Sequence, residues 1–223
     1  MALPLSRRAA LFALGSTVLL GSCTIASDGK NTPNSASASE GSLKTVTPGK
    51  LTIATGEPAY SPWVENNDPA SGKGFEAAVA YAVAGKLGFA NADVVWVRST
   101  FDAAVAPGAK DWDFNLQQFS ITEERRNAVD FSSPYYTTAQ AVVTLKGSPV
   151  SGATTVAELK GALLGAQTGT TSHRMLTETV APTTAPSVFN NSQDTVQALK
   201  GGQVDAIVVD LPTALYLVAA ELD

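Results

Sequence analysis

From Lys50 onward the chain alternates short apolar runs with helix-period patterns, and this alternation restricts its fold more than any other feature. Lys50 to Thr55 reads as a buried strand, and Gly74 to Leu87 as a helix with Phe75, Val79, Val83 and Leu87 on one side. Val94 to Arg98 reads as a second strand. A short helix is expected over Phe101 to Ala106 and a third strand over Asp113 to Gln117. Strands separated by helices need crossover connections, which give parallel pairing of one hand. The alternation then resumes with a strand at Ala141 to Leu145 and a helix at Thr155 to Lys160, opened by a capping box of Thr155 and Glu158. A strand at Leu163 to Gln167, a helix from about Ser172, a short strand at Ser187 to Phe189 and a helix at Thr195 to Lys200 follow. The strand Ala206 to Val209 leads into a helix near Pro212, a residue suited to a first helical turn. Two β/α units joined by an extended crossing near Tyr136 to Ala139 predict two lobes and a hinge. Ligands of such folds lie at strand carboxyl ends and between domains.

The first 22 residues are a different material. Arg7 and Arg8 precede an apolar run from Ala9 to Leu20, then small residues, which is the pattern of a signal peptide. The run is too short to favour a spanning helix, which needs about 20 apolar residues. It ends in Leu20-Gly21-Ser22-Cys23, which resembles a lipobox, and that resemblance implies that Cys23 is acylated on sulfur and becomes the first mature residue. Cys23 is the only cysteine, so an internal disulfide is excluded. Ser6-Arg7-Arg8 with Leu11 and Phe12 partly matches a twin-arginine signal and does not choose an export route. Thr24 to about Thr47 is rich in Ser, Ala, Thr, Asn, Gly and Pro and has little to bury, as expected of a tether. The expected organisation is thus a leader at 1–22, a tether at 23–47, a first lobe at 48–138 and a second at 139–223.

The formal charge is −5, with 15 basic and 20 acidic residues, and no basic stripe is present. Nucleic acid is therefore not an expected partner. A hydrophobic content of 44% over 223 residues is enough for a real core.

Four segments have residue types suited to binding, and a fifth matches a cofactor motif only loosely. In Phe119 to Tyr136, Thr122 suits a helix N-cap and Glu123 and Glu124 its first turn; Arg125 stands about one turn in, where a planar guanidinium can meet a carboxylate through two parallel hydrogen bonds. The alternative is a solvated, mixed-charge helix face. Glu57-Pro58-Ala59-Tyr60-Ser61-Pro62-Trp63 follows the first strand, where its carboxyl end opens into a cleft, although Tyr60 and Trp63 could equally cover the sheet edge. At Gln167-Thr168-Gly169-Thr170-Thr171-Ser172-His173 a strand ends and a helix begins, so backbone N–H groups and hydroxyls converge as in an anion site, with plain N-capping compatible. His173, the only histidine, reads as a surface residue. Asp205 to Pro212 sets Asp210 at the carboxyl end of a buried strand, facing the cleft or capping the next helix. Gly72-Lys73-Gly74-Phe75-Glu76-Ala77 loosely matches a dinucleotide fingerprint but follows a polar loop, not a strand, so the glycines read as turn formers and no cofactor is expected.

In their order and spacing, over about Lys50 to Tyr216, these motifs resemble the family 3 solute-binding proteins of bacterial ABC importers, which capture amino acids. The resemblance implies a two-lobed α/β periplasmic-binding-protein-like fold of type II with a hinge. It places Arg125, Ser120 and the Thr170 and Thr171 loop on the ligand carboxylate. Asp210 falls on the α-ammonium, Glu57 faces the ammonium or the side chain, and Tyr60 lies against the side chain. Gln118 stands where members often have a small residue whose carbonyl meets the ammonium. Trp112 and Gln117 are further candidates for the side-chain pocket.

The expectation is a monomeric, lipid-anchored extracytoplasmic receptor that closes on a polar or charged amino acid and hands it to ABC permease subunits. It uses no metal or cofactor and is not an enzyme: no His pair for zinc, nucleophile elbow or phosphate loop is present. The alternatives are a cyclohexadienyl-dehydratase-like enzyme on the same fold, which needs a further acid aimed at a leaving group, and an extracytoplasmic sensor domain. Family members continue beyond the Asp210 motif, so the resemblance also implies that a chain ending at Asp223 lacks the end of the second lobe and the segment returning to the first, and that it folds and binds poorly.

Overall fold

Every residue of β1 (Leu51–Thr55) is buried, as a strand needs when it is covered on both faces. The structure is a computed structural model that describes residues 43–222; the leader, Cys23 and most of the tether lie outside the described residues. β1 is the centre of a three-stranded sheet ordered β2-β1-β3, with β2 at Val94–Arg98 and β3 at Phe114–Asn115, all parallel. The third strand is shorter than the expected 113–117. Gln118 has a φ of 52°, a left-handed backbone that no strand continues through, so residues 117 and 118 form a loop at the carboxyl edge. The chain is fastened upstream of Pro48: one Asp113 carboxylate accepts from Val46 N at 2.8 Å and Thr52 N at 2.7 Å.

α1 (Phe75–Lys86) buries Glu76, Ala77, Ala80 and Ala84, not the larger residues of its other side. Phe75, Val83 and Leu87 are exposed, and only Val79 of the expected apolar side packs toward the core. Alanines allow the helix to lie close against Leu51 and Ile53, which a row of phenylalanine, valine and leucine would hold off. Each fully buried leucine or isoleucine contributes about 1.5–3 kcal/mol. α2 (Phe101–Val105) is capped by Thr100, whose Oγ1 accepts from Ala103 N. α3 (Glu123–Arg126) is capped by Thr122 as its sequence requires, the Oγ1 accepting from Arg125 N at 3.2 Å.

After an exposed stretch at 132–139, a second, four-stranded sheet forms in the order β4-β7-β5-β6, from β4 (Gln140–Thr144), β5 (Leu164–Gln167), β6 (Ser187–Phe189) and β7 (Ala206–Asp210). β5 pairs in parallel with β6 and β7, but β4 is antiparallel to β7, against the expectation of uniform parallel pairing. β4 leaves the crossing segment while β7 runs back toward it, so Gln140 faces Asp210 across the ladder. Successive β7 residues serve opposite faces: Val208 packs with Leu164, Leu176 and Val180, and Ile207 with Val143, Leu199 and Leu217.

The capping box at Thr155 and Glu158 is present, although it opens a single 3-10 turn, Val156–Leu159, and not an α-helix. α4 (Thr171–Met175) runs into a π-helical turn at Leu176–Val180. α5 (Ser192–Lys200) starts earlier than expected because Asn191 caps it, its Oδ1 accepting from Asp194 N at 2.8 Å. α6 (Leu211–Ala220) follows β7 directly.

Candidate functional site

The carboxyl ends of β1, β3, β5 and β7 open toward one another, and a cavity of about 220 Å³ lies among the loops they feed. All eight residues singled out in the sequence line it: Glu57, Tyr60, Gln118, Ser120, Arg125, Thr170, Thr171 and Asp210. Gln117 lines it too, whereas Trp63, Trp112 and His173 do not.

Arg125 is 8% exposed, so its charge is largely out of water. Its Nη1 donates to the Ser120 carbonyl at 2.7 Å, its Nη2 donates to the Gly169 carbonyl at 2.8 Å, and the guanidinium lies 5.1 Å from the centre of the Phe101 ring. Among the described residues no carboxylate pairs with it. Burial, reinforced by Arg174, disfavours the charged form and lowers the pKa. A guanidinium has five N–H donors, and carbonyls satisfy a buried cation only in part, so an incoming carboxylate would relieve a desolvation cost already present.

Across the cavity stands Asp210. It occupies the N-cap position of α6, but its side chain makes no capping hydrogen bond and has neither an ion-pair nor a hydrogen-bond partner among the described residues. Burial raises its pKa. A cation and an anion, each without a partner of opposite charge, thus face one space.

The hydroxyls divide their work. Thr170 Oγ1 accepts from His173 N at 3.1 Å and donates to the Gln167 carbonyl at 2.7 Å, so this side chain is committed to the α4 cap. Thr171 Oγ1 lies 3.1 Å from Ser120 Oγ, linking the two lobes, and accepts from Gln140 Nε2 at 3.0 Å. His173 is half-buried, not fully on the surface as expected.

Glu57 pairs with Arg98 Nε at 3.2 Å and accepts from Asn67 Nδ2 at 2.9 Å, so its charge is already shared with the protein. Asn67 also accepts from Ala59 N and Arg98 Nη1, both at 2.8 Å, which shapes the loop after β1. Tyr60 borders both the main cavity and an adjoining one of about 290 Å³. Its hydroxyl is buried without a partner, and burial pushes its pKa up to about 12. Trp63 is 4% exposed and donates from Nε1 to Thr213 Oγ1 at 2.9 Å, joining the first lobe to α6. Sequence reasoning missed the roles of Phe101, Glu76 and Gln140, because they arise from contacts across the fold; Glu76 was read only as part of the Gly72 to Ala77 turn motif.

Among the described residues no group of three or more His, Cys, Asp or Glu side chains could hold a metal ion. The arrangement is suited to charge of both signs on one small molecule.

Residues 51–202 match the model of the bacterial extracellular solute-binding proteins, family 3. A probable histidine-binding protein of Campylobacter jejuni is 32% identical over 170 residues, covering 74% of this chain and 62% of the relative. An L-arginine-binding protein of Pseudomonas aeruginosa is 28% identical over 156 residues, 69% of this chain and 58% of the relative. The chain thus spans about three fifths of these relatives, 62% and 58% of their lengths. Among solved structures, an ancestral arginine-binding protein bound to glutamine aligns with a TM-score of 0.67 at 32% identity, covering 78% of this chain and 76% of that one. An ancestral amino acid-binding protein described as a precursor of cyclohexadienyl dehydratase aligns with a TM-score of 0.65 at 28% identity, covering 77% and 75%.

Proposed function

Since the chain belongs to the bacterial extracellular solute-binding proteins, family 3, and has a two-lobed α/β periplasmic-binding-protein-like fold of type II with a hinge region, we propose that it captures a polar or charged amino acid for an ABC importer. The family is one of solute-binding proteins, which supports a receptor and not an enzyme. The observation that carries the reading is the partnerless pair: Arg125 from one lobe and Asp210 from the other line the same cavity, so a zwitterion satisfies both at once. The Ser120 and Thr171 hydroxyls add donors beside the carboxylate, and Tyr60 offers an apolar face to the side chain. Relatives that bind histidine, arginine or glutamine support a ligand of this class.

The extracellular character of the family fits the leader, and the Leu-Gly-Ser-Cys run supports a lipid anchor at Cys23 facing the outside of the membrane. The partner of the loaded form is then a permease embedded in that membrane. The test is a calorimetric titration of the full chain with L-histidine, L-arginine and L-glutamine, with a hexose as control. Binding of at least one amino acid and not the sugar is expected; the reverse overturns the reading.

A further inference from the structure

Glu76 is 1% exposed and lies on the side of α1 that is otherwise alanine, which is an expensive place for a carboxylate unless its hydrogen bonds are made. They are made by two residues distant in sequence. Oε1 accepts from Gln118 N at 2.8 Å and from the Tyr135 hydroxyl at 2.5 Å, while Oε2 accepts from Gln118 Nε2. Gln118 lines the cavity; Glu76 does not. The backbone of Gln118 is left-handed, at φ 52°, a region that a long side chain without local hydrogen bonds enters only when its surroundings over-determine it. One carboxylate grips both the main-chain N–H and the side-chain amide of that residue, so backbone and rotamer are held together. The neighbouring Gln117 packs so tightly on Gly56 that a Cβ there would stand 2.8 Å from Gln117 Nε2, which stops the loop from easing back toward β1.

We propose that Glu76 is a positioning residue: it clamps Gln118 in the left-handed conformation that faces the cavity, and so sets amino-acid affinity without touching the ligand. Its third bond, to Tyr135 in the crossing between lobes, anchors the hinge segment to the same clamp. The proposal deepens the amino-acid-binding reading and rests on it.

The test is a pair of comparisons on the full chain, titrated with whichever of L-arginine, L-histidine and L-glutamine binds the parent, with thermal melts recorded for each protein. Glu76→Met keeps roughly the length of the side chain but accepts from neither Gln118 donor, so affinity falls about tenfold, within the range for releasing one strained backbone residue. In a Gln118→Gly background, where glycine takes the left-handed region freely, adding Glu76→Met changes affinity less than about twofold. If Glu76→Met does not fold, Glu76→Asp holds its carboxyl group one methylene short of Gln118, and the same loss and recovery apply. An equal loss in both backgrounds, or none in the parent, overturns the positioning role alone. A parent that binds none of the three amino acids overturns the functional reading and this proposal with it.

Discussion

Arg125 Nη2 donates to the Gly169 carbonyl at 2.8 Å, so a cation from α3 is fastened to the loop after β5 in the opposite lobe. Ser120 with Thr171 and Trp63 with Thr213 make two further bridges, at 3.1 Å and 2.9 Å, so the lobes meet through polar groups around the cavity. Hinge closure is the motion expected of such a fold, and the residues that would hold a ligand are in part those that hold the lobes together.

Arg125→Ala should weaken amino-acid binding by about 2 to 5 kcal/mol, the usual cost of stranding one partner of a buried charge pair. Arg125→Lys should recover only part of this, because an ammonium cannot reproduce the planar fork that serves two carbonyls and a carboxylate together. Calorimetric titration of the three proteins decides it, and a neutral Arg125→Ala result would remove the arginine from the site.

Gly169 has a φ of 68°, and a Cβ on it would stand 2.5 Å from Asp102 Oδ1. Gly169→Ala should therefore lower affinity through about 1 to 2 kcal/mol of backbone strain together with a clash between the lobes. Adding Asp102→Ala removes the clash but leaves the strain, so the double variant should recover part of the loss. Full recovery, or none, would contradict this division.

Asp210 gives opposite predictions for stability and binding. Burial raises its pKa in the folded state, so between its ordinary 3.8 and the raised value the folded chain binds more protons than the unfolded one. This group therefore makes stability fall as pH rises through that window, and the penalty persists at pH 7. Asp210→Asn should raise the melting temperature of the ligand-free chain at pH 7 and flatten that dependence. The same variant should bind amino acids far more weakly while sparing analogues that lack the α-amine. Melts between pH 4 and 7 with paired titrations test both halves.

Cys23 should carry lipid in the exported protein. Intact mass of the membrane-extracted material should show acylation with Cys23 as first residue, and Cys23→Ser should release protein into the medium. An unmodified thiol, or cleavage far from Ser22, would remove the anchor.

The alternation of strands and helices was legible because short, β-branched and largely apolar segments, Leu51 to Thr55 in β1 and Ala206 to Val209 in β7, are separated by helix-period patterns, and the caps at Thr122 and Thr155 are local motifs satisfied within a turn. Arg125, Thr171 and Asp210 were legible for a related reason: Asp210 ends β7, Thr171 opens α4 shortly after β5, and Arg125 lies in α3 on the segment leaving β3, so chain order delivers each toward a carboxyl edge. The buried side of α1 was not legible. Its hydrophobic residues pointed to Phe75, Val83 and Leu87, but close approach to β1 selected the alanines instead, and how near a helix lies to a sheet is decided by the partner surface. Nor could local pattern reveal that Glu57 is occupied by Arg98, that Thr170 spends its hydroxyl on a cap, or that Glu76 reaches Gln118 and Tyr135. By itself, then, the sequence determined the order of elements and the residues at their ends, because these depend on short-range periodicity and capping. Only the tertiary structure decided which charges are already paired and which stand partnerless in the cavity, because pairing depends on distances between segments that the chain brings together only when it folds.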